Sequence, residues 1–140
     1  MRIRINLQIF VFAIIFYLTK QIRIYTILMI FALIHELGHL LTGILLGLKA
    51  KGIDIMPFGV SINFEDYSNK YIAKKIIIAI AGPLVNIIIV ILGIYNNWEE
   101  EIIYANILIG LFNLIPLYPL DGGRILKYII QLTTNSREAE

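Results

Sequence analysis

The 140-residue chain contains no cysteine. This absence excludes a disulfide framework, a thiolate nucleophile and a metal bound by thiolates. Charged residues are also scarce at 16%, whereas hydrophobic residues reach 59%, well above their share in an ordinary soluble domain. Neither a repeat nor a Ser- or Pro-rich linker is found. The composition therefore indicates one domain, residues 1–140, with lipid as its solvent.

Long apolar runs divide the chain into four predicted transmembrane segments. A helix needs about 20 apolar residues to cross the hydrocarbon core. The runs predict spans at about residues 4–19, 24–48, 74–95 and 102–118. The first run is short and follows Arg2 and Arg4, as in a signal peptide, but no small-x-small cleavage site follows it, so we expect a retained span. The predicted fold class is an all-α multi-pass membrane protein.

Basic residues are unevenly distributed over the predicted connections. Ten of the 12 lysines and arginines lie in residues 1–4, in the connection 49–75 or after residue 120. The opposite side holds only Lys20 and Arg23, beside the acidic run 99–101. This positive-inside bias predicts that both termini are cytoplasmic, and we expect a bacterial cell membrane. Basic residues scattered in this way do not form a nucleic-acid interface.

One connection has the periodicity of strands. In GIDIMPFGVSINFED, residues 52–66, apolar residues alternate on both sides of a Pro-Phe-Gly break. This pattern predicts a small β-hairpin over about residues 52–64 at the cytoplasmic mouth, and a surface loop is the alternative. The edge of such a hairpin can hold an extended substrate by strand addition.

The stretch FALIHELGHLLTG, residues 31–43, places His35, Glu36 and His39 in an apolar run. Residues i and i+4 lie on one face of a helix, so both imidazoles can bind one zinc ion while Glu36 acts as a general base. The alternative is a chance match or a structural polar patch between helices. An ionisable group inside the membrane is costly and usually functional, which favours the zinc site.

A catalytic zinc site usually has three protein ligands, and the absence of cysteine and of a third histidine leaves a carboxylate for the third. The candidates are Asp54, Glu65, Asp66, Glu99, Glu100, Glu101 and Asp121. Asp121 alone directly follows an apolar run, in NLIPLYPLDGGRIL. There Pro116 and Pro119 prevent a regular helix, and Gly122 and Gly123 allow a sharp turn. We expect this broken segment to bring Asp121 beside the second span, followed by a short helix over about residues 122–132.

Three motifs together resemble the site-2 protease family of intramembrane zinc metalloproteases, most closely its sporulation branch. They are HELGH, AGPLVN at residues 81–86 and NLIPLYPLDGGR at residues 113–124, and the resemblance covers roughly residues 24–128. It implies one zinc ion per chain, held by His35, His39 and Asp121.

The resemblance also implies roles for three polar residues. Glu36 is the general base, and Asn113, eight residues before Asp121, lies near the site and helps to hold the oxyanion. Asn86 matches the family's AGPxxN pattern, and we assign it only a packing or site-shaping role.

The predicted activity is hydrolysis of a peptide bond in or near a transmembrane segment, as in regulated intramembrane proteolysis. A membrane-bound pro-transcription factor is one substrate of this kind. A catalytically inactive or regulatory zinc-binding membrane protein of the same fold is the main alternative, and a metal carrier is a weaker one. The expected partners are the lipid bilayer and a membrane-protein or membrane-associated peptide substrate. A regulatory membrane partner is compatible with this function, and nucleic acid is not among the partners.

Overall fold

The computed structural model describes residues 2–56, 59–64 and 72–137. Over these residues the chain forms five helices and three short strands. In chain order they are β1 (Arg2–Ile5), α1 (Gln8–Leu18), α2 (Ile22–Leu45), β2 (Ala50–Met56), β3 (Gly59–Phe64), α3 (Ile72–Tyr95), α4 (Glu100–Asn113) and α5 (Asp121–Arg137).

Helices α2 and α3 correspond to the second and third predicted spans. Each has 24 residues and is long and apolar enough to cross a membrane. At 1.5 Å per residue each extends about 36 Å, which exceeds the thickness of the hydrocarbon core. Among the described residues these two helices meet that test.

The helices at the first and fourth predicted spans, α1 and α4, are shorter than the segments predicted there. Residues 4 and 5, at the start of the first predicted span, belong to β1, and helix α1 has only 11 residues. Helix α4 has 14 residues and ends at Asn113, because Pro116 and Pro119 follow within two turns. At 1.5 Å per residue these helices are only about 16 and 21 Å long. Helix α5, by contrast, continues to Arg137, beyond the predicted end at about residue 132.

The three strands form one sheet in the order β1-β2-β3. Strands β2 and β3 pair antiparallel, with Ile53 opposite Ile62 and Ile55 opposite Val60, at the position of the predicted hairpin. The predicted Pro57-Phe58 break lies outside the described residues. Strand β1 pairs parallel with β2, which the sequence analysis did not anticipate because it began the first span at about residue 4.

Contacts at the helix ends define how the helices run. The Lys74 ammonium group donates to the carbonyl of Leu46 at 2.9 Å, which joins the beginning of α3 to the end of α2. At the opposite end, the Arg23 guanidinium group lies 2.6 Å from the Glu99 carboxylate, which joins the beginning of α2 to the residue before α4. Helix α3 is therefore antiparallel to α2, and α4 runs in the same direction as α2.

Polar and apolar side chains are distributed as expected for a protein in lipid. Large apolar side chains are exposed on all five helices, for example Ile14, Leu41, Ile91 and Leu108. The buried polar side chains of the described residues are few, and they are His35, His39, Asn86, Asn106 and Asp121. Because burying a polar group without a partner is costly, this inner cluster identifies the place to look for function.

Candidate metal centre

Helix α2 carries the two histidines on the face that packs against α3. His35 and His39 are 2% and 3% exposed. Their Nε2 atoms lie 3.1 Å apart, as the spacing of four residues allows. The close packing depends on Gly38, where a Cβ atom would lie 2.8 Å from the Val85 side chain and 3.2 Å from the Ala81 carbonyl oxygen.

Asp121, the first residue of α5, supplies the third group of the cluster. It is 4% exposed, and its Oδ2 atom lies 3.0 Å from His35 Nε2 and 3.1 Å from His39 Nε2. Its other oxygen faces Arg124, whose Nη1 atom is 3.8 Å away. The non-helical segment 114–120 between α4 and α5 therefore places the carboxylate where the sequence analysis expected it.

Gly122 and Gly123 have a different structural role from the sharp turn that the sequence suggested. Both belong to the first turn of α5 rather than to a sharp turn. A Cβ atom on Gly122 would lie 2.6 Å from the Ile115 carbonyl oxygen, and one on Gly123 would lie 2.5 Å from the Leu117 carbonyl oxygen. The glycines thus allow the segment before α5 to fold back onto the helix that carries Asp121.

The three converging atoms fit a metal ion in size. Zinc in a regular tetrahedral site lies about 2.0–2.1 Å from nitrogen and oxygen ligands, which places any two ligands about 3.3 Å apart. The three separations here are 3.0, 3.1 and 3.1 Å. A slight expansion of this triangle gives one face of a tetrahedron. His35, His39 and Asp121 also form the candidate metal-binding group found among the described residues.

The hydrogen bonds of the two rings also make the cluster electrostatically suited to a cation. His39 Nδ1 lies 2.7 Å from the Ile78 carbonyl oxygen, and a carbonyl only accepts, so Nδ1 carries the proton. His35 Nδ1 is hydrogen-bonded to Asn86 Oδ1 in the same way. If Nδ1 carries the only proton of each ring, the lone pair of Nε2 is turned towards the other ring and the carboxylate. Three acceptors at this distance repel one another unless a cation lies between them.

Gly82 of α3 leaves the room for that cation, and the sequence analysis missed this role. A Cβ atom at this position would lie 2.6 Å from His35 Nε2 and would also collide with His39 Nε2. The sequence held a signal in the AGPLVN motif, because Gly82 and Asn86 are four residues apart and therefore share a helix face. That face of α3 is the one turned to the histidines.

Glu36 lies next to His35 on α2 and is half-buried. It interacts electrostatically with both histidines, with Asp121 and with Arg124. Glu36 is therefore close to the cluster without being one of the three converging groups. This is the arrangement that a general base beside a metal site requires.

Asn113 is the last residue of α4 and is half-buried. Its side-chain nitrogen donates to the Ile109 carbonyl oxygen at 3.0 Å, within its own helix. The structure therefore does not bring Asn113 into the hydrogen-bonded cluster around the histidines.

The other carboxylates considered as ligands differ in their positions. Glu99 and Glu101 form ion pairs with Arg23 at the far end of α2, and Glu100 is exposed beside them. Asp54 belongs to β2, opposite Ser61 of β3. Residues 65 and 66 lie outside the described residues. Among the described carboxylates, Asp121 is the one that meets both histidines.

Comparisons with known proteins agree with this geometry. The chain is 28% identical over 134 residues to stage IV sporulation protein FB of Bacillus subtilis, covering 90% of this chain and 46% of that protein. It is 32% identical over 118 residues to a zinc metalloprotease of Methanocaldococcus jannaschii, covering 76% of this chain and 34% of that protein. The chain thus spans less than half the length of these curated relatives.

A solved structure and a family profile complete the comparison. The fold is similar to that of a site-2 protease from Methanocaldococcus jannaschii, with a TM-score of 0.77, 27% identity and coverage of 91% of this chain and 66% of that one. Together with the two long apolar helices, this likeness indicates an integral membrane protein. The profile of peptidase family M50 matches residues 24–98 and 95–140. Since those residues include every member of the metal-binding cluster, the chain belongs to peptidase family M50, to which its three motifs had pointed.

Proposed function

We propose that this chain is an intramembrane zinc metalloprotease that hydrolyses a peptide bond in or near a transmembrane segment of a membrane protein. The observation that carries the proposal is the convergence of two imidazole lone pairs and one carboxylate oxygen within 3.0–3.1 Å of one another. Such a set is suited to one zinc ion per chain, and family membership supports the same reading.

The residues of the cluster divide the chemical work. His35, His39 and Asp121 hold the zinc ion, which when bound activates water and polarises a scissile carbonyl. The Glu36 carboxylate accepts the proton that the attacking water loses and passes it to the leaving amine. Glu36 is the neighbour of His35 in the sequence and is half-buried on the same helix, which supports this role.

Asn113 is assigned to the developing oxyanion. Its side-chain nitrogen donates within α4 to Ile109, so this role requires its side chain to turn away from its own helix when substrate binds. Family resemblance supports the assignment, because Asn113 precedes Asp121 by eight residues as in the family pattern.

The proposed topology has four membrane passes with both termini cytoplasmic. The distribution of lysine and arginine supports it, and so does the pairing of Arg23 with Glu99 at the end of the helices assigned to the outer side. Helices α1 and α4 are short for a full span, so the proposal requires the membrane to be thin around them or flanking residues to complete the crossing. In this orientation His35 and His39 lie near the middle of α2, and the sheet lies at the cytoplasmic mouth.

The proposed substrate is an unwound transmembrane or membrane-associated segment. A helix hides its peptide bonds, so the segment must become extended before its carbonyl reaches the zinc. Within the described residues β3 has β2 as its neighbour on one side only, and its other edge can pair with an extended chain. Regulated proteolysis of a membrane-bound pro-transcription factor, gated by a regulatory membrane partner, is a use consistent with this chemistry.

The second candidate is an inactive or regulatory zinc-binding protein of the same fold. A structural zinc site needs His35, His39 and Asp121 but has no use for Glu36 beside them, in a position where a carboxylate is costly. The location of Glu36 therefore favours the protease.

Zinc removal tests the proposed function. Purified protein in detergent is expected to contain one zinc ion per chain and to cleave members of a panel of single-span substrates. A chelator should abolish cleavage, and added zinc should restore it. Mass spectrometry of the products and elemental analysis of the protein measure both. Stoichiometric zinc without cleavage of any panel member would favour the regulatory protein, and cleavage by metal-free protein would contradict the proposal.

Replacement of Asp121 tests the third ligand. Asp121→Asn should weaken zinc binding by more than about 10-fold. Loss of a residue that only hydrogen-bonds to a metal ligand already costs about 10-fold or more, and here the ligand itself is replaced. Asp54→Asn, in β2, is the matched control and should keep its zinc. Competition with a chromophoric chelator measures both affinities. Normal zinc binding by Asp121→Asn, together with loss of zinc in Asp54→Asn, would show that Asp54 and not Asp121 is the third ligand.

Single cysteines test the proposed topology. Because the chain has no native cysteine, Lys49→Cys and Glu100→Cys each provide one reactive thiol. Both positions are exposed, the first just after α2 and the second at the beginning of α4. A membrane-impermeant maleimide should label position 100 on intact cells and position 49 only after lysis. Labelling of both positions from the same side would refute the topology.

A further inference from the structure

Asn106 is a polar residue that lies outside all three motifs and yet is among the most deeply buried side chains of the described residues. It is located in the middle of α4 with 0% of its surface exposed. Its Nδ2 atom donates to the Ile102 carbonyl oxygen at 2.8 Å, and its Oδ1 atom accepts from Asn86 Nδ2 at 2.9 Å. Asn86, 1% exposed, is hydrogen-bonded through Oδ1 to His35 Nδ1. A continuous chain of hydrogen bonds thus leads from α4 through α3 to a predicted zinc ligand on α2.

The direction of this chain is determined at its far end. A backbone carbonyl only accepts hydrogen bonds, so the amide of Asn106 must turn its nitrogen towards Ile102. Its oxygen then faces Asn86, which must donate. The oxygen of Asn86 is left to face His35, and an oxygen without a proton requires the ring to donate from Nδ1. One carbonyl of α4 therefore determines which nitrogen of a distant ring carries the proton.

The choice of nitrogen matters because the other tautomer is also favourable locally. His35 Nε2 lies 3.0 Å from Asp121 Oδ2, so a proton on Nε2 would make a good hydrogen bond to the carboxylate. That bond would remove the lone pair needed for the metal. His39 does not share this weakness, because its Nδ1 atom donates directly to the Ile78 carbonyl oxygen at 2.7 Å.

We infer that Asn106 is a positioning residue that keeps His35 in the tautomer able to bind metal, acting through the side chain of Asn86. Asn106 thereby determines both the orientation of the His35 ring and the ring nitrogen that carries the proton. This role explains why α4, a helix rich in exposed apolar side chains, carries a fully buried amide, and it gives α4 a part in a metal site to which it contributes no ligand.

The direct test is the tautomer of His35 in metal-free protein. The chain has only two histidines, so an NMR spectrum of ¹⁵N-histidine-labelled protein contains only four ring nitrogens to assign. At a pH at which both rings are neutral, both protons should reside on Nδ1. In Asn106→Leu the proton of His35 should move to Nε2, towards Asp121, while His39 keeps its own. Retention of the Nδ1 proton by His35 in this variant would overturn the inference, even if zinc binding were weaker.

Zinc affinity provides the second readout. Asn106→Leu should bind zinc about 10-fold or more weakly, whereas Asn106→Asp should stay within about threefold of the original chain. In the neutral form that burial favours, the new carboxyl group accepts from Asn86 and donates to Ile102, so the direction of the chain is kept. Asn96→Leu is the matched control, because the exposed Asn96, just after the end of α3, also donates to the carbonyl four residues earlier, at 2.8 Å.

A second variant covers the case in which Asn106→Leu does not fold. If Asn106→Leu does not fold, Asn106→Asp decides, and a folded Asn106→Asp protein whose His35 has its proton on Nε2 would refute the role. The inference rests on the proposed zinc site, but its failure is separable from the failure of that site. Absence of zinc binding by the original chain would contradict the proposed function, whereas the tautomer of metal-free protein tests Asn106 alone.

Discussion

Glu36→Gln is expected to bind one zinc ion per chain and to lose at least about 100-fold of its hydrolytic rate, since a general base typically contributes a factor of 100 to 10,000. The amide has nearly the same shape as the carboxylate, so the three converging groups are left in place. It has no basic oxygen able to take a proton from water, so the step assigned to Glu36 fails. The rate of cleavage of a single-span substrate and the zinc content of the same preparation measure the two effects.

Glu100→Gln is the matched control for this experiment. It makes the same change on an exposed glutamate at the beginning of α4, far from the histidines, and should leave both quantities unaltered. Undiminished cleavage by Glu36→Gln would refute the mechanism. Loss of zinc together with loss of cleavage would show that Glu36 supports the metal site instead of acting on the substrate.

Gly82→Ala is expected to abolish stoichiometric zinc binding. The added methyl group would lie 2.6 Å from His35 Nε2 and would also collide with His39 Nε2, in the space that the metal needs. Because the collision is with ring atoms held on both sides, the rings must shift, and a displacement of about 1 Å at a reactive centre can cost about 100-fold in rate. The overpacking should also lower the free energy of unfolding by about 1–3 kcal/mol.

Gly110→Ala separates this effect from a general cost of adding a methyl group. Gly110 is a buried helical glycine of α4, and a Cβ atom there would meet only the Cβ atom of Asn86, at an ordinary 3.4 Å. This variant should retain zinc, as measured by elemental analysis after gel filtration. Full zinc occupancy in Gly82→Ala would show that the metal does not lie between the histidines and α3.

The parts of the site that sequence could predict are those determined by local geometry. The spacing of His35 and His39 implies a shared helix face in any helix, and two prolines before Asp121 imply a break that can carry a carboxylate inward. The expected positions of these residues agree with the structure. Both inferences need only the short-range rules of helix geometry and of proline.

The parts that sequence could not predict depend on which helix faces meet. Gly82 and Asn106 matter only because α3 packs against α2 and α4 packs against α3. The amino-acid sequence alone does not show which helix faces pack together. An asparagine within an apolar run, as in IIYANILIG, was a weak signal for Asn106. Strand β1 was missed for a related reason: Arg2–Ile5 forms a strand because β2, nearly 50 residues later, offers a backbone with which to pair.

The separation of the three ligands along the chain has a consequence during biosynthesis. Asp121 follows His35 by 86 residues, so the two histidines leave the ribosome well before the carboxylate that meets them. At about 5–20 residues per second, the interval is about 4–17 s. Throughout that time the nascent chain has two of the three proposed zinc ligands, and the proposed hydrolytic centre is incomplete. For the proposed protease, translation order therefore delays activity until α3 and α4 have been made and the beginning of α5 has emerged, so that membrane segments made nearby in that interval are not cleaved.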